Sequence, residues 1–384
     1  MGFKFTLLCD LLSSLEANST AKAITATRRN DPDNQIIAQW FARYQGHIHH
    51  PDADKLALLS SIFPEKRIDR VYYLGPTSLA RVIGRCLGLG SSRLSELDRW
   101  RTSGGPDLGS CVENVLSEAE NLVPPGREVM VEEIDKVLNM LASRCRFSGP
   151  QIRRQHTAVG VDDALSPIYR RLSSRDAKWF TRMILKSYSP VILPQKYIYD
   201  KFHFLLYYIL QFQDTFEGAL SMLAAEPMSH FPPHPDSKLA ASLCSIALEH
   251  LSPRAGIKIS RPEYYKARSI NHCVQMAKNR RMSIERKYDG EYCQIHFDLT
   301  NKRTPIQIFS KSGKESTRDR SGIIPIVEES LQLRKEQCKF KYRCILEGEL
   351  LVWSDKHGDI AGFHKLRKFL PRSGRYLGTD SDSP

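Results

Sequence analysis

From the N-terminus to about residue 250, apolar residues recur at three- and four-residue spacing, the period of helices with one buried face. The spacing predicts helices over Phe5–Leu15, Ala53–Ile62, Pro76–Leu87, Val112–Leu122, Val131–Ala142, Leu165–Tyr169 and Asp176–Lys186, the last capped by Ser174. Past Leu251-Ser252-Pro253-Arg254-Ala255-Gly256 the period changes. Short β-rich runs at Met282–Lys287, Tyr292–Phe297, Ile306–Ser310 and Phe340–Trp353 alternate with charged turns, and one helix is predicted around Ile323–Leu333. The pattern is that of a multidomain protein: an all-α domain over residues 1–250, a Pro/Gly linker, and an α/β domain over residues 257–384. Phe340–Trp353 is apolar on both faces apart from two acids, which predicts a strand buried between layers.

Composition changes this picture little. With 384 residues, 41% hydrophobic and 26% charged, the chain is an ordinary globular one, and it has no apolar run of 18 residues to span a bilayer. The start, Met1-Gly2-Phe3-Lys4-Phe5-Thr6, fits a loose myristoylation pattern, but the spacing of Phe5, Leu8, Leu11, Leu12 and Leu15 reads better as an amphipathic helix. Nine cysteines with no C-x-x-C pair speak against a disulfide framework or a zinc ribbon. His47-Ile48-His49-His50 reads as a solvated loop, since no acid or cysteine nearby completes a metal site.

Charge changes more. The net charge is +13, and from Ile257 onward 26 Lys and Arg stand against 16 Asp and Glu. Such an excess in the second domain favours a polyanionic partner.

The candidate chemistry lies in that basic third. In Ile284-Glu285-Arg286-Lys287-Tyr288-Asp289-Gly290-Glu291-Tyr292, strand alternation puts Glu285 and Lys287 on one face, and Asp289-Gly290 supplies a turn into the next strand. A lysine there is a candidate nucleophile. Its amine must be neutral to attack, which from a reference pKa near 10.4 holds for roughly one molecule in a thousand at pH 7.4. Alone, K-x-D-G is weak, and an exposed hairpin with Lys287 paired to Asp289 or Glu285 explains it as well. Downstream, Ser310-Lys311-Ser312-Gly313-Lys314 is a basic, Gly-centred turn suited to phosphate or nucleic-acid backbone. In Cys344-Ile345-Leu346-Glu347-Gly348-Glu349-Leu350, two acids share one face of an apolar strand; a metal, a sugar hydroxyl or a structural salt bridge would account for them.

Taken together, in this order and spacing, these segments resemble the ATP-dependent DNA ligases, a eukaryotic (fungal-like) branch of the end-joining type. Lys287-Tyr288-Asp289-Gly290 looks like the adenylation motif, Ser310–Gly313 like the S-R-N-G segment and Glu347-Gly348-Glu349 like the D-G-E strand. The run Asp176–Lys186 is similar to a signature helix of the ligases' N-terminal DNA-binding domain. The fold implied is a helical DNA-binding domain followed by an incomplete adenylation domain, since the chain ends 31 residues past Trp353, before the family's later motifs.

The resemblance also implies roles. Lys287 would attack the α-phosphate of ATP and carry AMP. Glu285 would meet adenine, the backbone around Arg286 and Tyr288 would border the nucleotide, and Glu349 would hold the ribose or Mg2+. Tyr292 stands where the family usually has an arginine, which alters a ribose contact; Lys311 likewise replaces an arginine and keeps only its charge. Lys178, Arg182, Lys186, Lys311 and Lys314 are the implied DNA contacts. The partner would be duplex DNA with nicks or ends, with no membrane involved, and the place of action the nucleus in repair and recombination. A second reading is a catalytically defective DNA-binding remnant of such a ligase.

Overall fold

The computed structural model describes residues 2–24, 32–155, 157–261 and 266–369. The chain divides into two compact units, Met1–Leu210 with Thr215–Leu251, and Gln211–Asp214 with Ser252–Pro384.

The first unit is helical, as the spacing predicts. Helices run Phe5–Ile24, Pro32–Ile48, Lys55–Ile62, Pro76–Leu87, Leu108–Ser117, Val131–Ser143, Val161–Tyr169, Ser174–Ile184 and Ser237–His250, with shorter ones among them. Proline opens Pro76–Leu87 and Gly88, with a left-handed φ of 62°, closes it. The predicted helix Val112–Leu122 begins earlier, because the Asp107 carboxylate caps it by accepting from Gly109 N and Ser110 N. Likewise Ser173, not Ser174, caps the helix Ser174–Ile184, its side chain accepting from Asp176 N. Ser174 instead donates its hydroxyl to Glu120 (2.6 Å).

Ser174–Ile184 is the axis of this unit. Only Arg175 escapes full burial along it. Leu108–Ser117 crosses it closely, since a Cβ on Gly109 would lie 3.0 Å from Lys178 O and 2.9 Å from Arg182 Cγ. Among the described residues no helix is long and apolar enough to cross a membrane.

The second unit is α/β. Its sheet has three antiparallel strands, β1 (Glu291–Asp298), β2 (Ile306–Ser310) and β3 (Arg343–Leu350), in the order β2-β1-β3, and a two-stranded ribbon joins β4 (Trp353–Ser354) to β5 (Asp359–Ile360). Cys293, Ile295 and Phe297 of β1 pack with Ile306, Ile308 and Leu333, and the helix Ile324–Ser330 covers that face through Ile324 and Val327.

Two expectations are corrected here. Residues 282–287 form no strand: 281–289 are irregular and mostly exposed. Central β1 already has both edges paired, so no edge beside it is open to a further strand. Second, β3 is not buried between layers. β3 is an edge strand, and Leu346, which faces the same side as Ile295, is 40% exposed; Trp353, past its end in β4, is 60% exposed.

Candidate active site

Side-chain alternation gives β1 a second, polar face carrying Tyr292, Gln294 and His296. The register sets Glu349 opposite Tyr292 and Glu347 opposite Gln294, so both acids of the Glu-Gly-Glu segment join it. A continuous hydrogen-bond chain runs along this face. The Tyr292 hydroxyl donates to Glu347 Oε2 (2.7 Å) and accepts from Gln294 Nε2 (3.2 Å). Gln294 Oε1 in turn accepts from His296 Nε2 (2.9 Å). Because His296 Nδ1 accepts from Gly256 N (3.0 Å), its proton resides on Nε2. Tyr292 is 6% exposed; burial first, then its hydrogen bond to the Glu347 carboxylate, pushes its phenol far above the ordinary value.

Residues 256–261 lie over this face as a strap. Gln294 holds it as a peptide group would, accepting from Ile259 N (2.8 Å) and donating to Ile259 O (3.2 Å). Pro253, Ala255, Ile259 and Ser260 line a cleft of about 480 Å³ with Gln294, Arg343, Cys344, Ile345 and Glu347.

Burial, then the nearby charge of Lys258, lowers the His296 imidazole to about 4. Against an unfolded value near 6.5, the unfolded chain binds the extra proton between those values, so stability present above pH 6.5 is lost as pH falls toward 4. Protonation also removes the Nδ1 acceptor that holds Gly256. Between pH 7 and 4.5 the wild type is therefore expected to lose roughly 2 kcal/mol that His296→Gln does not lose. Thermal unfolding of both proteins across that range checks it; parallel pH profiles would exclude His296 as the source.

The Lys287 segment approaches the same end of the sheet. Gly290 is pressed against β3: a Cβ there would lie 2.5 Å from Leu350 O and 3.1 Å from Glu349 Cβ. A side chain at that position must displace backbone, at a cost of about 1–3 kcal/mol. Gly290→Ala is expected to speed hydrogen exchange of β1 and β3 amides while leaving the helical unit unchanged. Lys287 and Glu285 are exposed, and Arg286 stacks on Tyr288, its guanidinium carbon 5.4 Å from the ring centroid. Without a strand at 282–287 the shared face expected for Glu285 and Lys287 is not formed. The segment that carries Lys287 enters β1 at the end of the sheet where Glu349 lies, and Gly290 lets its backbone pass close to β3.

The Ser310–Lys314 turn forms as expected, with Gly313 N donating to Ser310 O and Ser310 N to Lys314 O (2.9 Å each). Lys311 and Lys314 are exposed, and Lys314 Nζ lies 3.9 Å from Asp319.

Three of the expected DNA contacts have partners within the helical unit. Lys178 is ion-paired to Glu16 (2.7 Å) and Glu113 (2.8 Å); Arg182 is paired to Asp107 (2.8 Å) and Glu16 (2.7 Å). Lys186 donates to Arg70 O (2.6 Å) and Arg67 O, and burial pushes its ammonium down to about 8. All three are engaged within their own unit: Lys178 and Arg182 lie on its buried axis helix, and Lys186, just past the end of that helix, donates to backbone carbonyls. The partners that sequence reasoning missed, Glu16 and Asp107, lie far away in the chain.

Among the described residues no three His, Cys, Asp or Glu side chains gather as a metal cage. Glu349, exposed on β3, fits a magnesium ion held by one carboxylate together with phosphate and water, the usual way such ions bind with nucleotides.

Residues 4–194 match the family described as DNA ligase N terminus, and residues 264–379 the ATP dependent DNA ligase domain. The chain is 34% identical over 133 residues to DNA ligase 3 of Schizosaccharomyces pombe, covering 33% of this chain and 16% of that protein. It is 23% identical over 392 aligned residues to DNA ligase 4 of Dictyostelium discoideum, covering 94% of this chain and 32% of the relative. The chain thus spans about a third or less of the length of these relatives. The helical first unit, the α/β second unit and both family matches place the chain in the eukaryotic ATP-dependent DNA ligase family.

Proposed function

We propose that the chain acts in DNA strand joining, with the second unit forming a lysyl-AMP from ATP and the helical unit holding duplex DNA with nicks or ends. The observation that carries this reading is the meeting, at one end of the sheet, of the Lys287-Tyr288-Asp289-Gly290 segment with Glu349, where Gly290 passes close to β3. In the reaction the neutral Lys287 amine attacks the α-phosphorus of ATP, a P–N bond forms, the bond to pyrophosphate breaks, and the amine proton passes to solvent. Glu349 is the residue to hold Mg2+ or the ribose, Glu285 and the backbone of Arg286 and Tyr288 border the nucleotide, and Tyr292 supports Glu347 from beneath. Magnesium supplies neutralisation of charge on the departing pyrophosphate. Lys311 and Lys314 remain as DNA-backbone contacts. Action in the nucleus, in repair and recombination, is part of the same proposal.

Incubation with α-labelled ATP and Mg2+ tests it. Covalent label on the chain, discharged by pyrophosphate, supports adenylation. DNA binding with no label would leave a DNA-binding remnant and overturn the enzymatic reading.

A further inference from the structure

We infer that Arg261, presented by the 256–261 strap on the face of Tyr292, is the side chain that receives the anionic phosphates of the nucleotide in this chain; the inference rests on the adenylation reading above. The polar face of the sheet is electrostatically unsuited to a triphosphate by itself. It presents Glu347 and Glu349 beside neutral Tyr292, Gln294 and His296. Among the described strands the one Lys or Arg is Arg343, at the far end of β3 and paired with Asp298 (3.1 Å). A polyphosphate laid near Glu349 therefore requires positive charge from outside the strands.

The strap brings it. The Arg261 guanidinium carbon lies 4.6 Å from the centroid of the Tyr292 ring, a cation–π contact. That ring is a fixed platform, since it is buried and its hydroxyl is tied to both Glu347 and Gln294. The strap is fixed as well, two residues before Arg261, by the paired hydrogen bonds of Gln294 to Ile259. Arg261 itself is exposed. Tyr292 faces Glu349 across the register, two residues from Gly290 at the start of β1, so the guanidinium stands at the end of the sheet where the Lys287 segment arrives. A guanidinium held over a ring by its cation–π contact still has N–H donors for a bidentate contact with phosphate oxygens, and preorganisation lowers the entropy lost on binding.

Single-turnover adenylation by the full chain, followed with α-labelled ATP over a concentration series, tests the inference. Arg261→Ala is expected to raise the half-saturating ATP concentration about 10-fold, one charge-assisted bidentate contact, with the limiting rate changed by less than about 2-fold. Arg261→Lys, which keeps the charge and loses the fork, should recover to within about 3-fold of wild type. Gln294→Leu, which frees the strap, should weaken ATP in the wild-type background and add little to Arg261→Ala, because both remove one interaction. An unchanged half-saturation in Arg261→Ala, or multiplicative effects of the two substitutions, would overturn the inference while a labelled wild type kept adenylation intact. A wild type that takes no label and does not bind a fluorescent ATP analogue would remove the adenylation reading, and this inference with it.

Discussion

Lys287→Ala is expected to abolish covalent labelling by α-labelled ATP, a loss limited only by detection, while DNA binding and thermal stability stay at wild-type levels. The size of the effect follows from the chemistry, since the amine nitrogen is the atom that bonds to phosphorus and alanine offers nothing in its place. The absence of a stability effect follows from the structure. Lys287 lies in an exposed, irregular segment, and surface substitutions away from special features change stability by about 0.5 kcal/mol or less. Acid hydrolysis of the labelled wild type should release AMP, as a P–N bond is acid-labile. Label persisting in the alanine variant would move the nucleophile elsewhere.

The second large effect is on stability. Arg182 is 4% exposed and neutralises Asp107 and Glu16 together. Burial pushes the Asp107 carboxyl up, but the hydrogen bonds from Arg182 and Ser110 outweigh that and hold it at about 2. Arg182→Ala takes the guanidinium from Asp107, a half-exposed carboxylate that keeps Ser110, while Glu16 keeps Lys178, a change that costs about 2–3 kcal/mol. At about 2–4 °C per kcal/mol for a unit of this size, the melting temperature of the helical unit should fall by roughly 5–10 °C. The deficit should shrink as pH falls from 4 toward 2, where protonation of Asp107 removes the pair from the wild type too. Circular dichroism melts of wild type and variant, with Lys311→Ala as an exposed comparison, measure this. A variant that melts like the wild type but binds DNA more weakly would return Arg182 to the DNA surface.

The contrast between Arg182 and Lys311 marks the limit of reading charge from a chain. Both are cations in segments that resemble DNA-ligase signatures, and nothing in their immediate neighbours distinguishes them. Lys311 follows a strand in a Gly-centred turn, so its exposure is a local property, and the turn was legible. Arg182 is paired with residues 75 and 166 positions away. No local pattern can announce such partners, and a helix buried on every side carries its ion pairs where an amphipathic helix would carry solvent-facing charge.

By itself the sequence determined what short-range physics controls: the helical period of the first unit, the core strands β1 and β2 through their alternation, the helix at Ile324–Ser330, and the face shared by Glu347 and Glu349. It also carried the order of the motifs, which is a property of the chain and not of its packing. Tertiary structure decided the rest. Whether 282–287 pairs as a strand depends on where the chain runs relative to the sheet, and β1, the strand it leads into, already has both neighbours in β2 and β3. Whether β3 is buried depends on its place in the sheet, which is an edge. And only the folded sheet, by setting Gln294 and His296 against the backbone of Ile259 and Gly256, lays the strap across the polar face and Arg261 on Tyr292, because hydrogen bonds between groups some 35 to 40 residues apart leave no periodic trace in the chain.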